Sequence, residues 1–134
     1  MERWLGKYSD VLYAVMRIVV GVLFACHGAQ KLFGAFGAEK ASAPLMVLAG
    51  VIEFFGGALI ALGLWTGWAA FISSGQMAVA YFKSHAPDGP LPILNRGELA
   101  CVYCFLFLYI SSRGSGRMSV DSLIRGARKA VTRG

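Results

Sequence analysis

The chain has 134 residues, room for one compact domain, and 57% of them are hydrophobic at a mean hydropathy of +0.60, more apolar than a soluble domain of this size normally is. Its 13 Lys and Arg against 7 Asp and Glu leave a net charge of +6, much of it beyond Ser112. With no basic stripe or stacking platform elsewhere, that pattern argues against nucleic acid and for a membrane surface. The three cysteines, Cys26, Cys101 and Cys104, are too few and too deep in apolar stretches for a secreted disulfide framework.

A bilayer core of roughly 30 Å needs about 20 helical residues, and the first apolar run, Val11 to Phe33, meets that length. Leu23-Phe24-Ala25-Cys26 faintly resembles a lipoprotein cleavage site, but Arg17 interrupts the run and three more apolar segments follow, so it reads as a span. The second run is Leu45 to Leu64. Thr66 to Phe82 and Gly97 to Ser112 are shorter and are supported by the alternation of apolar run and polar break. Gly34 to Ser42 and Leu64 to Trp68 form turns, and Pro87, Pro90 and Pro92 keep the stretch before Asn95 out of helix.

The expected fold is therefore all-α: an integral membrane four-helix bundle over residues 1–112, with spans at about 11–33, 45–64, 66–82 and 97–112, followed by a basic tail over 113–134. A soluble bundle is the alternative. An even number of spans puts both ends on one side, where Arg3, Lys7, Arg113, Arg117, Arg125, Arg128, Lys129 and Arg133 lie; the other side has Lys31, Lys40, Lys83 and Arg96. This bias predicts cytoplasmic termini in an inner (plasma) membrane. In the tail, Val120, Leu123, Ile124, Ala127 and Val131 recur at helical spacing opposite the basic residues, predicting an amphipathic interfacial helix; a solvated tail is the alternative.

Ionisable groups are costly in a bilayer and mark function there. His27, Gln30 and Lys31 share one stripe in the last two turns of the first span, where His27 is expected to be buried. Glu53 lies about 12 Å below the outer surface on the second span. Gly56 and Gly57 follow it, and Gly57 with Ala61 makes a small-xxx-small pair for close helix packing. Arg17, about 15 Å below His27, is within reach of Glu53, which predicts an Arg17–Glu53 ion pair; snorkelling toward the inner surface is the alternative. Gln76 and Lys83 share a face of the third span, and His85 is expected at the surface just beyond it.

Asn95 and Glu98 are arranged as a capping box for the fourth helix. Glu98 also shares a helix side with Cys101 and Cys104, a C-x-x-C that is either a redox pair or apolar filler. No clustered zinc ligands, phosphate loop or Ser-His-Asp arrangement is visible.

Arg17-Ile-Val-Val-Gly21, His27-Gly28-Ala29-Gln30-Lys31, Glu53-Phe54-Phe55-Gly56-Gly57, Leu62 to Gly67, Gly97-Glu98 and Gly116 to Asp121 together resemble the DoxX family of small four-helix bacterial membrane proteins, over nearly the whole chain. The resemblance implies Arg17, His27, Gln30, Lys31, Glu53 and Glu98 as the family's polar positions; the C-x-x-C lies outside its pattern. It also implies a subunit of a quinone-linked or thiol/sulfur-linked oxidoreductase system, with redox partner subunits or a second copy of the chain. On that reading His27, Glu53, Glu98, Cys101 and Cys104 are the catalytic candidates, and Gln30, Lys31, Gln76 and Lys83 the substrate-binding ones. Quinone is the candidate cofactor, without an intrinsic cofactor motif. A scaffold recruiting soluble redox partners and a small transporter are the competing readings.

Overall fold

The computed structural model describes residues 1–132 and, of residues 2 and 3, only the backbone; Arg133 and the side chain of Arg3, both counted in the charge bias, lie outside the described residues. A single turn, α1 (Glu2–Leu5), leads through a short 3-10 segment into four long helices: α2 (Ser9–Phe33), α3 (Pro44–Leu62), α4 (Thr66–Ser84) and α5 (Glu98–Arg113). A tail helix, α6 (Val120–Val131), follows. The four long helices agree with the predicted apolar segments to within two residues at every end.

The helix ends follow from local chemistry. Gly34 takes the left-handed conformation (φ 68°) that a side chain would resist, and its N–H returns to the Ala29 and Gln30 carbonyls to close α2. Pro44 opens α3, where its fixed φ suits the first turn and its missing N–H leaves no donor unpaired.

Packing divides the bundle into two antiparallel hairpins, α2 with α3 and α4 with α5. Between α2 and α3 the backbones touch. A Cβ added to Gly21 would lie 2.6 Å from the Ala61 nitrogen, one on Gly57 2.5 Å from the Ala25 nitrogen, and one on Gly28 2.7 Å from the Gly50 carbonyl oxygen. Gly57 and Ala61 thus belong to a longer seam of small residues; such close backbone packing is what holds helices together where lipid removes the hydrophobic drive. Between α4 and α5, Ser74 Oγ donates to the Cys104 carbonyl at 2.7 Å and Ser111 Oγ to the Gly67 carbonyl at 3.0 Å. Phe24 of α2 joins the hairpins, its ring centroid 5.3 Å from Tyr103 and 4.6 Å from Phe107 of α5.

Large apolar side chains face outward on every long helix: Val15, Val19 and Leu23 on α2, Phe55 on α3, Phe71 and Val79 on α4, and Val102 and Phe105 on α5. The segments Gly6–Phe33 and Pro44–Leu62 are long and apolar enough to cross a membrane. An all-helical protein with its apolar surface turned outward is a membrane protein.

Candidate functional site

Glu53 sits in the middle of α3 and is 1% exposed. Lys31, in the last turns of α2, forms an ion pair with its Oε1, and Gln76 Nε2 of α4 donates to the same oxygen at 3.1 Å. The three residues come from three helices and 45 positions of sequence (31 to 76), and they meet because α2, α3 and α4 alternate in direction. The other carboxylate oxygen, Oε2, and the Gln76 Oε1 are both buried without a protein donor. Two unpartnered acceptors in one cluster leave it able to accept a ligand's hydrogen bond.

The predicted Arg17–Glu53 pair is not formed. Arg17 is itself 1% exposed, but its guanidinium donates to the carbonyls of Ile60 and Ala61 (the latter at 2.8 Å) and to the Met118 carbonyl at 2.7 Å. It caps the C-terminus of α3 from a neighbouring helix, where unpaired carbonyls and the helix dipole both favour a cation. Lys31 reaches Glu53 first because both lie toward the end of the bundle opposite the chain termini, whereas Arg17 lies toward the end that the termini share.

Above the cluster the bundle opens into a cavity of about 600 Å³ with mostly apolar walls. His27, Lys31, Glu53, Gln76 and Lys83 all line it, so the structure brings together five of the sequence candidates. His27 is exposed to this space rather than buried, and its ring stands edge-on to Tyr103 at 6.3 Å. Helical periodicity placed its stripe but could not show that the stripe lines an open cavity rather than packed protein.

His85 departs from its expected surface position. It is half-buried, lines the cavity, and sets its Nδ1 3.1 Å from the Asn95 carbonyl oxygen. Asn95 does not cap the fourth helix as a capping box with Glu98. Its Oδ1 accepts from Gly97 N at 2.8 Å, its Nδ2 donates to the Gly89 carbonyl and to Tyr81 Oη, and α5 begins at Glu98 without a side-chain cap. The three prolines hold the chain in a wide loop that closes around this amide, which draws Asn95 inward.

Gln30, Glu98, Cys101 and Cys104 do not line the cavity. Glu98 is exposed, and Cys104 packs in the α4–α5 seam with its Sγ 3.6 Å from Ser74 Oγ. All three cysteines are free thiols. Among the described residues no group of three or more His, Cys, Asp and Glu could hold a metal ion. Sequence reasoning missed Tyr103 and Arg96, which line the cavity. Tyr103 was hidden between the two cysteines of the motif; Arg96 had been counted only as a flanking charge.

The opposite end of the bundle is closed by the tail. Tyr13 Oη donates to the Gly114 carbonyl at 2.5 Å, Arg17 holds Met118, and the Asp121 N–H bonds to the Gly63 carbonyl at 3.1 Å. Asp10 pairs with Arg113 and Arg117, each at 3.3 Å.

The family described as DoxX matches residues 12–86, which hold α3 and α4 and all but the first turn of α2, and with them Arg17, His27, Lys31, Glu53 and Gln76. A relative from Haemophilus influenzae, described as an uncharacterized protein, is 44% identical in an alignment that covers 88% of this chain and 94% of the relative. No solved structure matches the chain.

Proposed function

The chain belongs to the DoxX family, and from that premise we propose that it is the membrane subunit of a quinone-linked oxidoreductase system, binding the quinone in the cavity between its helices. In this reading all four long helices span the inner membrane, with both termini cytoplasmic and the cavity in the outer half. The observation that carries it is the Glu53–Lys31–Gln76 cluster set at the polar end of an otherwise apolar cavity of about 600 Å³.

A quinone needs apolar walls for ring and tail, a donor for its carbonyl oxygen and a group that exchanges protons as electrons move. Lys31 and Gln76 supply polar contacts, and Glu53 is the carboxylate that can take up or release a proton. His27 stands at the wall as a second titratable group. The quinone itself supplies the two-electron redox chemistry; the chain positions it and keeps water from it. The free thiols of Cys101 and Cys104 lie away from this cavity, which favours quinone over thiol chemistry here. A permeation pathway is disfavoured because Phe24, Phe107 and Ile60 fill the bundle at 1% exposure or less toward the termini.

The test is quinone binding by the purified full chain, read as quinone retained after mild-detergent extraction and as affinity for an added short-chain quinone. Wild type retains quinone, whereas Glu53→Gln and Lys31→Met each lower the affinity tenfold or more, about 1.4 kcal/mol. Absence of bound quinone, or binding by both variants as tight as by wild type, refutes the reading.

A further inference from the structure

At its outer mouth the cavity carries a second set of polar groups, separate from the Glu53 cluster. Lys83 at the end of α4, His85 just beyond it and Arg96 before α5 all line it. Among the described residues neither Lys83 nor Arg96 has an acidic partner, since Glu53 is taken by Lys31 and no ion pair involves Asp88 or Glu98.

Arg96 is also held in a left-handed backbone conformation, φ 61°, that a residue with a side chain resists. Its neighbours keep it there. Asn95 is 3% exposed with its amide fully engaged, and Gly97 is packed so closely under Tyr81 that a Cβ would lie 2.6 Å from the ring. The same Asn95 donates no freedom to His85, whose Nδ1 meets its carbonyl and whose Nε2 is left for another partner. A loop organised around a buried amide thus presents two cationic or titratable groups beside Lys83.

The walls beneath this mouth are apolar and open sideways. Leu45, Ile72 and Leu99 line the cavity and are at the same time about half exposed on the outside of the bundle. An occupant that satisfies both halves has a negative head and an apolar chain that can enter from the bilayer.

We infer that the mouth of the cavity binds the phosphate-bearing head group of an anionic membrane lipid through Lys83, His85 and Arg96, with an acyl chain along Leu45, Ile72 and Leu99. Charge complementarity selects the head, because the Lys83 ammonium and the Arg96 guanidinium face, without an acidic partner among the described residues, one cavity whose single carboxylate is already held by Lys31. The lateral opening selects a lipid over a free anion. This site stands without the quinone reading, since it uses none of Glu53, Lys31 or Gln76.

The experiment titrates the full chain in detergent with short-chain phosphatidylglycerol, short-chain phosphatidylcholine and inorganic phosphate, following bound lipid by native mass spectrometry. Lys83→Gln and Arg96→Gly are compared with wild type. Glycine is at ease at a positive φ, so Arg96→Gly removes the guanidinium while favouring the native loop. Phosphatidylglycerol is expected to bind wild type at least tenfold more tightly than phosphatidylcholine, to lose tenfold or more in each variant, and to resist displacement by millimolar phosphate. Equal binding by wild type and variants, or by the two lipids, overturns the proposal; displacement by inorganic phosphate assigns the site to a free anion and overturns the lipid. Glu53→Gln frees the Lys31 cation in the same cavity and so should not weaken lipid binding while it lowers quinone binding, so the two readings fail separately.

Discussion

Glu53 and Lys31 are coupled because each removes the penalty of the other's charge in a low-dielectric interior. Lys31→Met should therefore strand a buried carboxylate and destabilise the bundle by about 3 kcal/mol, whereas the double variant Lys31→Met, Glu53→Gln should recover most of that loss. Thermal unfolding in detergent checks the cycle, and additive losses would show that the pair is not coupled. Arg17 is a residue of a different kind. Its carbonyl partners, Ile60, Ala61 and Met118, are chain groups that no other side chain supplies, so Arg17→Met should cost roughly 3 kcal/mol with little effect on quinone binding. That Lys31 would take Glu53 was not readable from spacing. Depth along single helices placed Arg17 within reach, and only the axial offset of α2 against α3 decided between two cations on nearly the same face of one helix.

At the scale of elements, the α2–α3 contact rests on residues that lack side chains rather than on those that have them. Gly28→Leu would force the two backbones apart at the level of Gly50 and Phe54, because backbone cannot yield as a flexible side chain does. The expected outcome is loss of the folded monomer peak in detergent, whereas Gly75→Leu, at a position with open space around it, should be tolerated. The tail helix depends on its cap. Ser119 accepts from Ser122 N at 3.2 Å and the Ser122 side chain returns the bond, so Ser119→Ala should lower the stability of α6 by about 1 kcal/mol, seen as lost helicity in a tail-specific probe. The amphipathic pattern of α6 was plain in the sequence; its attachment through Asp121 to the α3–α4 turn was not, because that bond is between backbone groups far apart in the chain.

For the whole molecule, the tail is part of the bundle as far as Asp121 and a free helix beyond it. Removing residues 114–134 should destabilise the bundle by uncovering Tyr13 and Arg17, while removing residues 124–134 should leave its melting temperature nearly unchanged. The exposed Leu123 and Val131, opposite Arg125 and Arg128, then remain for the membrane surface. The proposed orientation is checked by labelling: a cysteine at Lys40 in a chain freed of its native cysteines should react with an impermeant thiol reagent in intact cells, and one at Thr132 should not. The reverse pattern would place the cavity on the cytoplasmic side.

Hydropathy and the order of apolar runs were enough for the helices, and the few polar residues inside or beside those runs include the five, His27, Lys31, Glu53, Gln76 and Lys83, that line the cavity. Both are local or periodic properties of the chain, and taking a charge out of water is costly before any partner is specified. Partners were a different matter. The pairing of Glu53 with Lys31, the use of Arg17 as a cap and the distance of Cys101 and Cys104 from the cavity depend on the offset and rotation of the helices and on where two hairpins part. Those are set by the seam of glycines between α2 and α3 and by Phe24 against Tyr103 and Phe107, contacts between distant parts of the chain that no single helix encodes.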